Sequence, residues 1–65
     1  MIMGYSVTNV KQVGGNRIVE VFLEDVSDLA SLPQIPGENW GMGSVAYTSD
    51  FNIWFLTSNG WEASA

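Results

Sequence analysis

The stretch Arg17 to Glu24 reads Arg-Ile-Val-Glu-Val-Phe-Leu-Glu, and it restricts the fold more than any other part of the chain. β-Branched and aromatic residues dominate it, which favours extended backbone. Successive side chains of a strand point to opposite sides. Val19, Val21 and Leu23 therefore share one face, while Ile18, Glu20 and Phe22 share the other. Both faces carry apolar groups, so a sheet built on this strand needs cover on each side. That cover comes either from the chain's own later elements or from a neighbouring subunit.

Turn chemistry places the remaining elements. Gly14-Gly15-Asn16 separates Tyr5–Val13 from the Arg17 strand, and glycine and asparagine tolerate the positive φ values of tight antiparallel connections. The two segments are expected to form a hairpin. The period changes over Glu24 to Leu32, where Asp25 or Ser27 is suited to cap one helical turn that Pro33 ends. A loop from Pro33 to Asn39 follows, in which Pro36-Gly37 suits the centre of a type II turn. Strands are then expected at 43–48, 53–57 and 61–63, with Ser49 to Asn52 as one turn and Asn59-Gly60 as a type I′ turn. The fold class read from this pattern is mainly β. It is a small antiparallel module with an N-terminal hairpin (1–24), a helical turn and loop (25–42) and a C-terminal three-stranded meander (43–65) in a single domain.

A chain of 65 residues buries only roughly 60% of the surface its unfolded form exposes, so its core is thin. Small scaffolds compensate with disulfides, a metal or oligomerisation, and this chain has no Cys and no His. A homo-oligomer is the expected remedy. The apolar content of 46% against 14% charged residues points the same way, since so small a domain should show a mostly polar surface.

The same two absences remove the commonest general base, the strongest nucleophile and the main transition-metal ligands, so neither an enzyme nor a cofactor is expected. Lys11 lies on a hairpin strand without a partner motif for Ser-Lys chemistry. Glu24, Asp25 and Asp28 lack the alternating spacing and central glycine of a calcium loop and read better as helix caps. Gly14-Gly15-Asn16 and Gly41-Met42-Gly43 lack the Lys-Ser/Thr that a phosphate loop needs and read as turns. A net charge of −5 repels phosphate backbones and anionic lipid, so no nucleic-acid and no membrane partner is expected. No window approaches the roughly 20 apolar residues of a membrane span, and Met1 to Gly4 lacks a secretory leader's pattern.

Aromatic side chains concentrate in the second half, as Trp40, Tyr47, Trp54, Phe55 and Trp61. Three readings are open for them: core and cross-strand packing, with Trp54 facing Trp61 across the Asn59-Gly60 turn; an oligomer interface; or a platform for a glycan. Alternation sets Ile53, Phe55 and Thr57 opposite Trp54 and Leu56, which makes a second strand apolar on both faces. Val19, Val21, Phe22, Trp40, Tyr47, Trp54, Phe55 and Trp61 are the candidates for core or interface.

One longer pattern runs through this half: Asp25-Val26-Ser27-Asp28-Leu29, Leu32-Pro33, Pro36-Gly37, Gly43-Ser44-Val45-Ala46-Tyr47-Thr48, Ile53-Trp54-Phe55-Leu56 and Asn59-Gly60-Trp61. It resembles short tailed-phage virion proteins of the head fibre and head decoration type, over roughly Asp25 to Glu62. The chain departs from that pattern where Glu38 to Met42 separates Pro36-Gly37 from Gly43-Ser44. The resemblance implies a non-enzymatic virion component made in the bacterial host cytoplasm, docking to a capsid or other virion protein. It also implies a trimer, matching the three-fold points of a shell. A glycan- or protein-binding module using exposed aromatics is the alternative. An acidic DNA mimic is a third reading, for which the acids would have to line one face.

Overall fold

The computed structural model describes residues 4–64, so Met1 to Met3 of the stretch read for a leader lie outside the described residues. The chain forms five strands and one short helix. These are β1 (Tyr5–Val13), β2 (Asn16–Leu23), the 3₁₀ helix η1 (Val26–Ser31), β3 (Val45–Thr48), β4 (Ile53–Thr57) and β5 (Gly60–Ala63). The strands make one sheet in the order β1-β2-β3-β4-β5, and the fold is mainly β as its alternation predicts. No helix among the described residues is long and apolar enough to cross a membrane.

Both local hairpins form. β1 pairs antiparallel with β2 from Tyr5↔Leu23 to Val13↔Asn16, with an irregularity between Val7 and Asn9. Gly14 takes φ 60° and Gly15 no positive value, as a two-residue type II′ connection requires. β3, β4 and β5 form the expected meander. Two turns differ from expectation. Asn59 has no positive φ and Gly60 alone has one, at 103°, so the connection ends on a left-handed glycine and is not type I′. Gly37 also lacks the positive φ of a type II turn. Its N–H instead donates to the Trp40 carbonyl, closing the loop on itself.

The larger correction concerns the join between the halves. β2 and β3 run parallel, with Val21↔Ala46 and Leu23↔Thr48 in register, so the sheet is mixed and not wholly antiparallel. A parallel pair needs a crossover of a dozen residues or more, and the segment from Glu24 to Ser44 supplies it. Its apolar residues explain the route. Leu29, Leu32 and Trp40 pack on Val21, Leu23 and Ala46, and reaching them carries the chain back along one face to the end where β2 began.

That crossover is pinned at both ends. Asp25 caps η1: its carboxylate accepts from the Ser27 N–H, while Asp28 reaches back to the Asp25 N–H, a reciprocal arrangement that satisfies two free helix donors. At the far end Ser44 is fully buried; its hydroxyl accepts from the Val19 N–H at 3.1 Å and donates to the Gly41 carbonyl at 2.8 Å. Gly41 comes so close that a Cβ there would collide with Asn16 and sit 2.8 Å from the Arg17 carbonyl. Trp61 closes the layer, its indole N–H donating to the Pro33 carbonyl at 2.9 Å.

Two buried hydroxyls make opposite predictions. Replacing Ser44 with Ala strands the Val19 N–H and is expected to cost about 1–3 kcal/mol in a urea titration. Thr48 Oγ1 is buried with no hydrogen-bond partner, so Thr48→Val is expected to raise stability by about 1 kcal/mol in the same measurement.

Candidate functional site

The crossover covers one face of the sheet over β2 to β5, leaving Val7 and Val10 of β1 on that face 49% and 41% exposed. On that face Val19, Val21, Leu23, Ala46 and Leu56 are buried, with Trp40, Trp54 and Trp61 packed around them. Val19 and Val21 are thus core, and the three tryptophans belong to the covered side. Trp54 and Trp61 do not face each other as expected. Trp54 pairs with Ala63 and Leu56 with Trp61, which makes the two indoles diagonal neighbours. Trp61 instead meets Trp40 edge to face at 6.2 Å, because the crossover loop brings Trp40 over β5.

Among the described residues no such layer lies on the opposite face. The pairings Phe22↔Tyr47, Tyr47↔Ile53, Glu20↔Val45 and Val45↔Phe55 place these residues together on it. Ile18 on β2 lies on the same side. Phe22 and Tyr47 touch edge to face at 5.7 Å. Ile53 and Phe55 are 38% and 41% exposed, although strand alternation marks them as apolar contact residues. Of the candidates named from sequence, Phe22, Tyr47 and Phe55 gather here. Ile18, Val45 and Ile53 join them, and the signal for these three was the same period-2 alternation, read outward from each turn.

Polar groups frame this apolar centre. The Tyr47 hydroxyl donates to Thr8 Oγ1 at 3.0 Å, and Thr8 Oγ1 donates to the Glu20 carbonyl at 3.1 Å. Register puts Lys11, opposite Ile18, on the β1 margin, and Glu62, opposite Phe55, on the β5 margin. Glu62 is held by Thr57 Oγ1 at 2.9 Å and Asn59 Nδ2 at 3.3 Å. The charged groups here are few: Lys11, Glu20 and Glu62. What the surface can do chemically is bury its aromatic and branched side chains against another apolar surface.

Phe51 was missed, having been read only as part of a turn. It takes φ 66° and is 89% exposed, beside a small cavity of about 140 Å³ lined with it by Asn52, Ile53, Trp54, Ala63 and Ser64. A left-handed conformation costs a residue with a Cβ roughly 1–2 kcal/mol, and no burial of the ring offsets it. Comparison with known proteins finds no match: no family model, curated protein or solved structure is similar to the chain.

Two outcomes test these assignments. Phe51→Asn is expected to raise thermal stability by about 0.5–1 kcal/mol, since asparagine tolerates the left-handed region and no packing is lost. Asp25 is held below its ordinary value of 3.8 by hydrogen bonds from the Ser27 hydroxyl and then the Ser27 N–H. A carboxylate lowered in the folded state stabilises the fold above its unfolded pKa, and that contribution disappears as pH falls through the folded pKa. In thermal melts carried from neutral pH into the acid range, the stability gap between the native chain and Asp25→Asn should hold steady and then close below 3.8.

Proposed function

We propose that this chain is a non-enzymatic structural protein of a phage particle, a head fibre, decoration or other virion component. It acts by self-association and by docking to a larger assembly. One observation carries the reading: a sheet only partly covered by its own chain, with Phe22, Tyr47, Ile53 and Phe55 grouped on the open side. Contiguous apolar patches of this kind mark interaction surfaces. Aromatic residues contribute strongly at the centres of interfaces. The phage setting, with localisation in the virion after synthesis in the host cytoplasm, is supported by the resemblance over Asp25 to Glu62.

Self-association also answers the shortage that so small a chain faces. Its fully buried apolar side chains are few, Val19, Val21, Leu23, Leu32, Ala46 and Leu56 among the described residues, and a second body of protein over the open face would extend that core.

A second reading, a module that binds a glycan or a host protein, draws on Phe51 and the cavity beside Trp54. Ring sugars stack on exposed aromatic faces. A change in tryptophan emission on addition of simple ring sugars would favour that reading.

Sedimentation or light scattering of the purified protein at micromolar concentration tests the leading reading. The expected mass is a multiple of the 7.1 kDa chain. A mass of one chain throughout that range would overturn self-association.

A further inference from the structure

We infer that the open face is the contact between two copies of this chain, stacked sheet to sheet about a twofold axis that runs parallel to the strands above β3. This rests on the self-association reading and specifies its partner and symmetry.

Size comes first. The molecule is a slab of 30 × 28 × 17 Å. Its thin dimension is that of a sheet with one layer upon it, as sheets pack about 10 Å from their neighbours. The broad face is thus on the scale of the ~800 Å² that each partner contributes to a standard stable interface. A second sheet laid on it at the usual aligned angle would make a sandwich with Phe22, Tyr47, Val45, Ile53 and Phe55 as its inner layer.

Charge comes second. A chain of net charge −5 pairs with itself only if its acids point elsewhere, and most do. Asp25 and Asp28 cap η1, with Glu24 just before it; Glu38 lies in the crossover loop and Asp50 in the turn after β3. The open face holds Glu20 and Glu62 against Lys11. Symmetry then decides the orientation. β3 is the middle strand, so an axis along it lays β1 of one copy over β5 of the other. Lys11 then approaches the margin that holds Glu62 in the second copy, twice over. An axis across the strands level with Glu20 would bring β2 over β2 and set Glu20 against Glu20, a like-charge pair that destabilises, whereas the axis along β3 lays each Glu20 over β4 of the other copy.

Face-to-face packing of one surface on itself is isologous and closes as a pair. The geometry therefore points to twofold symmetry, whereas the phage resemblance implies a trimer.

The experiment uses the whole chain. Phe55→Lys is expected to abolish the dimer at concentrations where the native chain is dimeric, and Ile35→Lys, at a residue 77% exposed in the crossover loop, to leave it intact. Lys11→Glu, on an exposed strand position that does not test folding, should weaken the dimer by about tenfold, because two symmetry-related contacts reverse together. Adding Glu62→Lys should restore most of that loss. The chain has no cysteine, so a Val45→Cys protein treated with a short bismaleimide reports a single site. Covalent dimer is expected from it and none from Ile35→Cys. A native trimer, or a dimer indifferent to Phe55→Lys and Lys11→Glu, overturns the twofold pairing and leaves self-association standing. A native monomer overturns both.

Discussion

A single sheet has two sides, and the described residues lay a covering segment over only one of them, across β2 to β5. The rest of the structure follows from that constraint. β2 is apolar on both faces, and its neighbours β1 and β3 pair its edges without covering either face. Among the described residues, the one stretch outside the strands long enough to cross it lies between β2 and β3. Once Leu29, Leu32 and Trp40 settle on Val21, Leu23 and Ala46, the opposite face is left to water or to another molecule.

The crossover sets topology and core together. Its passage along the covered face returns the chain to the starting end of β2, so β3 must pair in parallel, and the N-terminal hairpin and C-terminal meander become one sheet. Backbone polar groups exposed by the change of direction are met locally. The Asp25-Asp28 box satisfies the start of η1, and the Ser44 hydroxyl bridges Val19 and Gly41 where β3 begins. A buried serine in so small a core is costly unless both of its hydrogen bonds are made, and here both are.

The functional reading grows from the same asymmetry. Five of the seven acids lie at η1 or in the loops, so the open face carries Glu20, Glu62 and Lys11 around its aromatic and branched side chains. Phe51 adds a separate oddity at the end of β3: a large apolar side chain in left-handed backbone with 89% of its surface in water. Its backbone helps close the turn, the Phe51 N–H donating to the Thr48 carbonyl at 3.1 Å, while the exposed ring adds nothing to the core.

Much of the fold was legible from local pattern. Runs of β-branched and aromatic residues bounded by turn residues placed all five strands to within two residues, glycine and asparagine located the hairpin turns, and Asp25 with Pro33 bracketed the helical turn, because each depends on residues within a few positions of one another. The aromatic candidates were legible as apolar but not as core or surface. Phe22 and Trp61 read alike in sequence, yet one lies on the open face and the other under the crossover. Alternation divides a strand's side chains into two sets without saying which set is covered. That choice, the parallel join of β2 to β3, and the pairing of Trp61 with Trp40 in place of Trp54 were decided by tertiary structure alone. Each depends on where a segment far along the chain packs, and packing distant segments together is a contest of buried area that no local spacing records.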